Sequence, residues 1–136
     1  MKGYLLDTNV LSEIVKKHPE PRVLARLRTA PGDQLYTSAV CVAELRHGAA
    51  RHSSGARLWE RIAREVVARV RVLPLGEVEA VQAGDLLALL ESRGEPIGIE
   101  DVLIGATALV GALILVTRNV RHFDRIPGLV VESWWR

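Results

Sequence analysis

Asp7, Glu44 and Asp101 are the residues of this sequence best placed to do chemistry. Asp7 closes the apolar run Gly3-Tyr4-Leu5-Leu6. Glu44 stands inside Ala39-Val40-Cys41-Val42-Ala43-Glu44-Leu45, and Asp101 opens the apolar stretch 102–110. A carboxylate beside a core segment is costly to bury unless it is paired or binds a metal. Three of them, distant in sequence and all next to core segments, can converge on one divalent cation. Phosphodiester cleavage is consistent with such a centre, because it needs a nucleophile, charge neutralisation on the phosphate and in-line geometry. Carboxylate-held Mg²⁺ supplies these by lowering the pKa of bound water and clamping phosphate oxygens. Mg²⁺ also prefers a few protein carboxylates together with waters and substrate oxygens.

The elements that must position these acids are legible from periodicity. Residues 3–6 read as a short buried strand, followed by a helix over 8–15 with Leu11, Ile14 and Val15 on one face. His18-Pro19-Glu20-Pro21 breaks it, a second helix covers about 22–29, and Pro31-Gly32 stops that one. A strand over 35–38 leads into a helix over 39–50 with Val42, Leu45 and Ala49 inward. Leu58, Ile62, Val66 and Val70 recur every four residues and predict a fourth helix. A strand over 71–75, a long helix over 77–93 ended by Gly94, a helix over 100–110 and a strand over 113–117 follow, with an edge strand over 129–132. Strands alternating with helices imply an α/β fold, a three-layer sandwich around a central, mostly parallel sheet. In such folds ligand-binding side chains collect beyond the carboxyl ends of strands. Asp7 and Asn119 follow strands directly, Asp101 heads a helix whose dipole favours its charge, and Glu44 lies in the second turn after a strand. One edge of the sheet is within reach of all four.

Composition bounds the answer. The 136 residues predict a single domain over 1–136, with 49% apolar and 25% charged residues, ordinary for a soluble protein. Aromatics are only 4%, so the core must be aliphatic. Net charge is +2, with a pI near 9.0. Lys2, Lys16 and Lys17 are the only lysines among eighteen basic residues, and arginine, spread along the chain, makes up the rest. Cys41, alone, forms neither an internal disulfide nor a cysteine cage and reads as a small buried side chain. The first residues lack a signal-peptide pattern. The longest uncharged stretch, 102–117, is shorter than the roughly 20 residues a membrane span needs. A cytoplasmic location, with no membrane partner, is the expectation.

At this point the residues reach a family. Leu6-Asp7-Thr8-Asn9-Val10-Leu11-Ser12 resembles the opening motif of PIN-domain nucleases, and Val42-Ala43-Glu44-Leu45-Arg46-His47-Gly48 resembles their second. The segment from Pro96 through Glu100-Asp101-Val102 to Ala108 is similar to the third. Val116-Thr117-Arg118-Asn119-Val120-Arg121-His122-Phe123, followed by Ile126-Pro127-Gly128-Leu129, is similar to the fourth. The likeness covers nearly the whole chain, in order, and is greatest to VapC-type toxins of bacterial toxin–antitoxin pairs. It implies a Mg²⁺-dependent endoribonuclease, with Mn²⁺ as a substitute, that cuts tRNA or ribosomal RNA by metal-activated water and leaves a 3′-hydroxyl and a 5′-phosphate. It assigns Asp7, Glu44 and Asp101 as catalytic, metal-binding acids, with Asn119 a fourth ligand. Thr8, Asn9, Ser12 and Thr117 are implied as supporting residues. Asn119 departs from the Asp of many relatives: its carbonyl is a neutral ligand, so the centre carries one charge less and a tightly held second metal is disfavoured. Implied partners are an RNA substrate, a VapB-type antitoxin that wraps the toxin, a second copy of the chain, and operator DNA reached only through the antitoxin.

Blander roles stand beside these. Asp7 also reads as a helix N-cap, Glu44 as a solvated helix position, and Asp101 as an N-terminal helix acid beside a solvated Glu100. Asp124 is the runner-up for the fourth acid, but it lies further along, after Phe123, and reads rather as a surface residue. His18, His47, His52 and His122 share no ligand spacing and read as exposed or partly packed. Arg46, Arg118 and Arg121 either touch RNA phosphate or form surface ion pairs. The stripe Leu58-Trp59, Ile62, Val66 reads as core, part of which could receive an antitoxin helix, and Trp134-Trp135 as cover for a core edge or as a dimer contact. Two other functions are open to such a chain. A PIN-like module with a decayed site fits Asn119 but not the retention of three acids. A phospho-accepting domain fits Asp7 but lacks the second Asp two residues on, where Asn9 stands, and any lysine beyond Lys17.

Overall fold

β-Branched and leucine-rich runs bounded by polar residues make strands, and here they all line up in one direction. The computed structural model describes residues 3–136; Met1 and Lys2, where the single-domain and no-leader expectations begin, lie outside the described residues. The elements run β1 (Tyr4–Leu6), α1 (Thr8–Glu13), α2 (Pro21–Thr29), β2 (Leu35–Ser38), α3 (Ala39–Arg51), α4 (Gly55–Glu65) and β3 (Arg71–Leu73). Then come α5 (Glu77–Ser92), α6 (Ile99–Val110), β4 (Ile114–Val116), α7 (Val120–Phe123) and β5 (Val131–Glu132). The sheet has five strands in the order β3-β2-β1-β4-β5, and every pairing is parallel. Helices flank it, as expected of parallel strands that need crossover connections.

The strand order matters most for function. From β1 the chain winds outward through β2 to β3, then returns to place β4 on the other side of β1. The β1–β4 boundary is therefore a topological switch point, where loops part and leave a crevice beyond the carboxyl ends. Register pairs Leu6 with Val116, so Asp7 and Thr117 leave the sheet side by side. The ladder continues one step further, with the Asp7 amide donating to the Val116 carbonyl at 2.9 Å.

Beneath the crevice, Leu5, Leu6, Val10, Leu11, Ile104, Leu115, Val116 and Phe123 are fully buried. Each such side chain contributes roughly 1.5–3 kcal/mol relative to exposure. Trp134 is buried, edge-on to Tyr4 with ring centroids 5.4 Å apart, so it does cover the β5–β1 side of the core. Thr37 is buried in β2 without penalty because its hydroxyl donates to the Leu6 carbonyl at 2.8 Å.

Several boundaries differ from the sequence expectation for local reasons. The first helix stops at Glu13, whose buried carboxylate turns to accept the Glu20 amide at 2.8 Å and pairs with Lys16 at 2.9 Å, fastening the loop that follows. The four-residue repeat of Leu58, Ile62, Val66 and Val70 is interrupted: α4 ends at Glu65 and a tight turn over Val67–Arg69 leads to β3. Val66 stays buried through the break, which is why the apolar pattern alone could not show it. In α3 the inward face is Cys41, Leu45 and Ala49, with Val42 only half-buried. The four residues of α7 are too short to leave a periodic signal. Gly94 ends α5 in the left-handed conformation, φ +66°, that glycine adopts without strain.

Candidate active site

Asp7 occupies the crevice at the switch point. It caps α1, its Oδ1 accepting the Thr8 amide at 2.8 Å. Its Oδ2 accepts the Thr117 hydroxyl at 2.8 Å and the Asn9 amide group at 3.4 Å. The cap role and the site role are thus the same geometry: an N-cap Asp immediately after a central strand projects at the sheet edge. Thr117 in turn accepts the Asn119 amide at 2.9 Å, and Asn9 Oδ1 accepts the Arg118 amide at 3.1 Å, which ties the segment after β4 to the segment after β1.

Glu44 reaches the same place from the second turn of α3. Ser38 caps that helix by accepting the Cys41 amide at 3.1 Å, so α3 starts at the end of β2 and points Glu44 toward β1. The Thr8 hydroxyl donates to Glu44 Oε1 at 2.6 Å. Asp101 sits in the first turn of α6. Its Oδ2 lies 3.4 Å from His122 Nδ1, and the same nitrogen lies 2.8 Å from Asn119 Nδ2. His122 thereby links the third and fourth acid-bearing segments.

The electrostatics follow from this crowding. Burial pushes the Asp7 carboxyl up to about 6, the Thr117 and Thr8 hydrogen bonds oppose the rise, and the charges of Asp101 and Glu44 add to it. Among the described residues no Lys or Arg is ion-paired with Asp7, Glu44 or Asp101. Ligand atoms of Asp7, Cys41 and Glu44 all lie within 4.8 Å of one another, a spacing that could hold a metal ion. A buried carboxylate facing two like charges with no cation beside it is the electrostatic complement of a divalent ion.

The structure therefore joins Asp7, Thr8, Asn9, Glu44, Thr117 and Asn119 by hydrogen bonds, and Asp101 stands at their side, linked through His122 and felt by Asp7 as a like charge. Ser12 makes no hydrogen bond to the acids; its hydroxyl donates to the Asn9 carbonyl at 3.4 Å, within the turn that follows Asp7. Arg46 forms no ion pair among the described residues; its guanidinium lies 5.2 Å over the Trp59 ring and joins α3 to α4. Arg118 likewise stacks 5.5 Å over Trp135. Arg121, Glu100 and Asp124 are exposed, as are His18, His47 and His52. Two neighbours of the site were not anticipated as such. Cys41, fully buried as expected, donates weakly to Asp7 Oδ1 at 3.9 Å, and burial followed by the Asp7 charge raises its thiol pKa. Its position three residues before Glu44 on one helix was the available signal. His122, also expected merely to be partly packed, stands three residues after Asn119 in α7, an element with no sequence signature.

Known proteins match this arrangement closely. A PIN domain model matches residues 4–129. The chain is 35% identical to a VapC ribonuclease, Y4jK, of Sinorhizobium fredii over 135 residues, 96% of each chain. It is 31% identical to the tRNA(fMet)-specific endonuclease VapC of Salmonella typhimurium, over 98% of this chain and 99% of that one. A DNA-bound VapBC structure from Salmonella typhimurium superposes with a TM-score of 0.89 at 29% identity, covering 98% of this chain and 99% of that one. With likeness of this degree running from end to end, and the acids standing on the segments the motifs require, the chain belongs to the PIN-domain family, among the VapC ribonucleases.

Proposed function

We propose that this chain is a divalent-cation-dependent endoribonuclease, the toxin of a toxin–antitoxin pair, which cuts structured RNA such as tRNA in the cytoplasm. The observation that carries the reading is the cluster at the switch point, where a buried Asp7 faces Glu44 and Asp101 and, among the described residues, no Lys or Arg is paired with any of the three. Asp7, Glu44 and Asp101 would hold the cation, with the neutral oxygen of Asn119 completing the set. Oxygen donors of this kind suit Mg²⁺, with Mn²⁺ as a substitute. When bound, the cation supplies charge neutralisation on the phosphate and a lowered pKa for water. The protein's own residues do the positioning. Thr117 and the Thr8 amide fix both oxygens of Asp7, and the Thr8 hydroxyl fixes Glu44. His122 sets Asn119 against Asp101. Such preorganisation is what makes a site of this kind effective.

The relative that acts on tRNA(fMet) and the DNA-bound complex support the same reading of substrate and partners. Apolar side chains of an antitoxin segment would enter the cleft of about 340 Å³ lined by Leu11, Ile14, Leu24 and Leu27, with Arg28 and Glu65 also in its lining. The α4 stripe is less suited, since Ile62 and Val66 are buried. Binding to operator DNA would be the antitoxin's work. Among the described residues no helix is long and apolar enough to cross a membrane.

The test is cleavage of total RNA by the purified chain, freed of antitoxin, with Mg²⁺, with Mn²⁺ and with EDTA, beside Asp7→Asn. Metal-dependent cuts that vanish in the variant establish the activity, and their positions name the target. Folded protein that cuts nothing under either metal would sink it. Two variants refine the site. Thr8→Val, which removes the 2.6 Å hydrogen bond to Glu44, should lower kcat about tenfold with little change in melting temperature. Asn119→Asp should keep activity and tighten Mn²⁺ binding about tenfold, the worth of one more charge near a partly screened cation. Weaker Mn²⁺ binding, read by calorimetry, would remove Asn119 from the ligand set.

A further inference from the structure

Beside the acids lies an open cleft of about 450 Å³ lined by Arg118, Asn119, Val120, Arg121, Asp124 and Arg136. Three arginines and one aspartate line it; among the described residues none of the three arginines is ion-paired, and the Arg118 charge reaches as far as Glu13. Arg118 is already ordered: its guanidinium stacks 5.5 Å over the Trp135 ring, and its amide is held by Asn9. Trp135 is itself anchored, its carbonyl accepting Arg22 Nη1 at 2.7 Å. A stacked arginine keeps its fork of N–H donors free for an oxygen ligand and loses little entropy on binding one. Asn119 belongs to both places. It lines the cleft, and its amide is joined through the Thr117 hydroxyl to Asp7. A nucleic-acid strand with one phosphate at the acids therefore meets the arginines next.

We propose that Arg118, Arg121 and Arg136 form a subsite for the RNA backbone phosphate adjoining the one that is cut, with Trp135 as the rigid backing of Arg118. The assignment rests on the ribonuclease reading above and concerns the arginines that line the cleft with Asn119. Arginine suits the task because its planar fork meets phosphate oxygens two at a time.

The experiment uses the full chain carrying Asp101→Asn, so that RNA is bound without being cut. A fluorescent tRNA and a single-stranded oligoribonucleotide serve as probes, and affinity is measured by anisotropy across a salt series. Arg118→Gln, Arg121→Gln and Arg136→Gln are each compared with Arg71→Gln, an exposed arginine at the amino end of β3, opposite the carboxyl ends where the acids stand. Each cleft variant should flatten the slope of log affinity against log salt by about 0.7, as one phosphate contact on a single strand requires. Affinity should fall about fivefold, while Arg71→Gln changes neither. Mn²⁺ binding to the same variants with Asp101 intact should be unaltered. If all three keep the parent's slope and affinity while the Asp101 protein still cleaves RNA, the phosphate subsite is wrong and the ribonuclease reading stands. A protein that neither cleaves nor binds RNA overturns both.

Discussion

Asp101→Asn should abolish RNA cleavage, by about a thousandfold or more, and leave the protein folded. The loss is large because a charged ligand to a catalytic cation supports several kcal/mol of transition-state stabilisation. The fold should tolerate the change. Asp101 lies in the first turn of α6, where its charge is worth at most about 1 kcal/mol to the helix. Removing that charge also relieves the repulsion it exerts on buried Asp7. Single-turnover cleavage assays read the first effect and urea denaturation the second. Cleavage within tenfold of the parent would strip Asp101 of its role as a ligand, whatever the stability.

The second large effect concerns Asp7 and pH in the absence of metal. Its folded pKa of about 6 lies above the ordinary 3.8, so the folded state holds this proton more tightly than the unfolded chain does. The stability this contributes is fully present below the unfolded value and is lost as pH rises through the folded one. Above pH 6 the buried carboxylate is ionised, at a cost approaching about 3 kcal/mol. Other groups titrate too: burial would raise the Glu13 carboxyl, but Lys16 and the Glu20 amide bring it below its usual range, an effect of opposite sign. The difference between the parent and Asp7→Asn cancels those groups. Measured in EDTA by urea unfolding, the stability of Asp7→Asn relative to the parent should rise by about 2 kcal/mol from pH 4.5 to 7.5. Lost hydrogen bonds to Thr117 and Asn9 shift that difference by a constant and leave its slope intact. A flat difference would mean that Asp7 is not strained by burial. Added Mn²⁺ should stabilise the parent strongly at pH 7.5 and weakly at pH 5, where protons compete for the same oxygen.

Much of this was legible before any coordinate. Strand–helix alternation, short apolar runs, helical faces and Pro and Gly breakers depend on near neighbours along the chain, and they predicted β1, β2, α3, α5 and α6 to within a residue or two. The acid-bearing motifs located Asp7, Glu44 and Asp101 on those elements, because a carboxylate embedded in apolar sequence is conspicuous without a fold. What sequence could not decide was lateral order and side-chain direction. Only the packed sheet places β4 beside β1, which joins Thr117 to Asp7 across 110 residues. Only packing turns Arg46 onto Trp59 rather than toward the acids. His122 and Cys41 became neighbours of the site for the same reason: proximity across elements is set by register and packing, and those terms are non-local. Residue chemistry and local period were thus determined by the sequence itself. Which of those residues meet was decided by tertiary structure, since a parallel sheet is assembled from segments whose contacts no local pattern encodes.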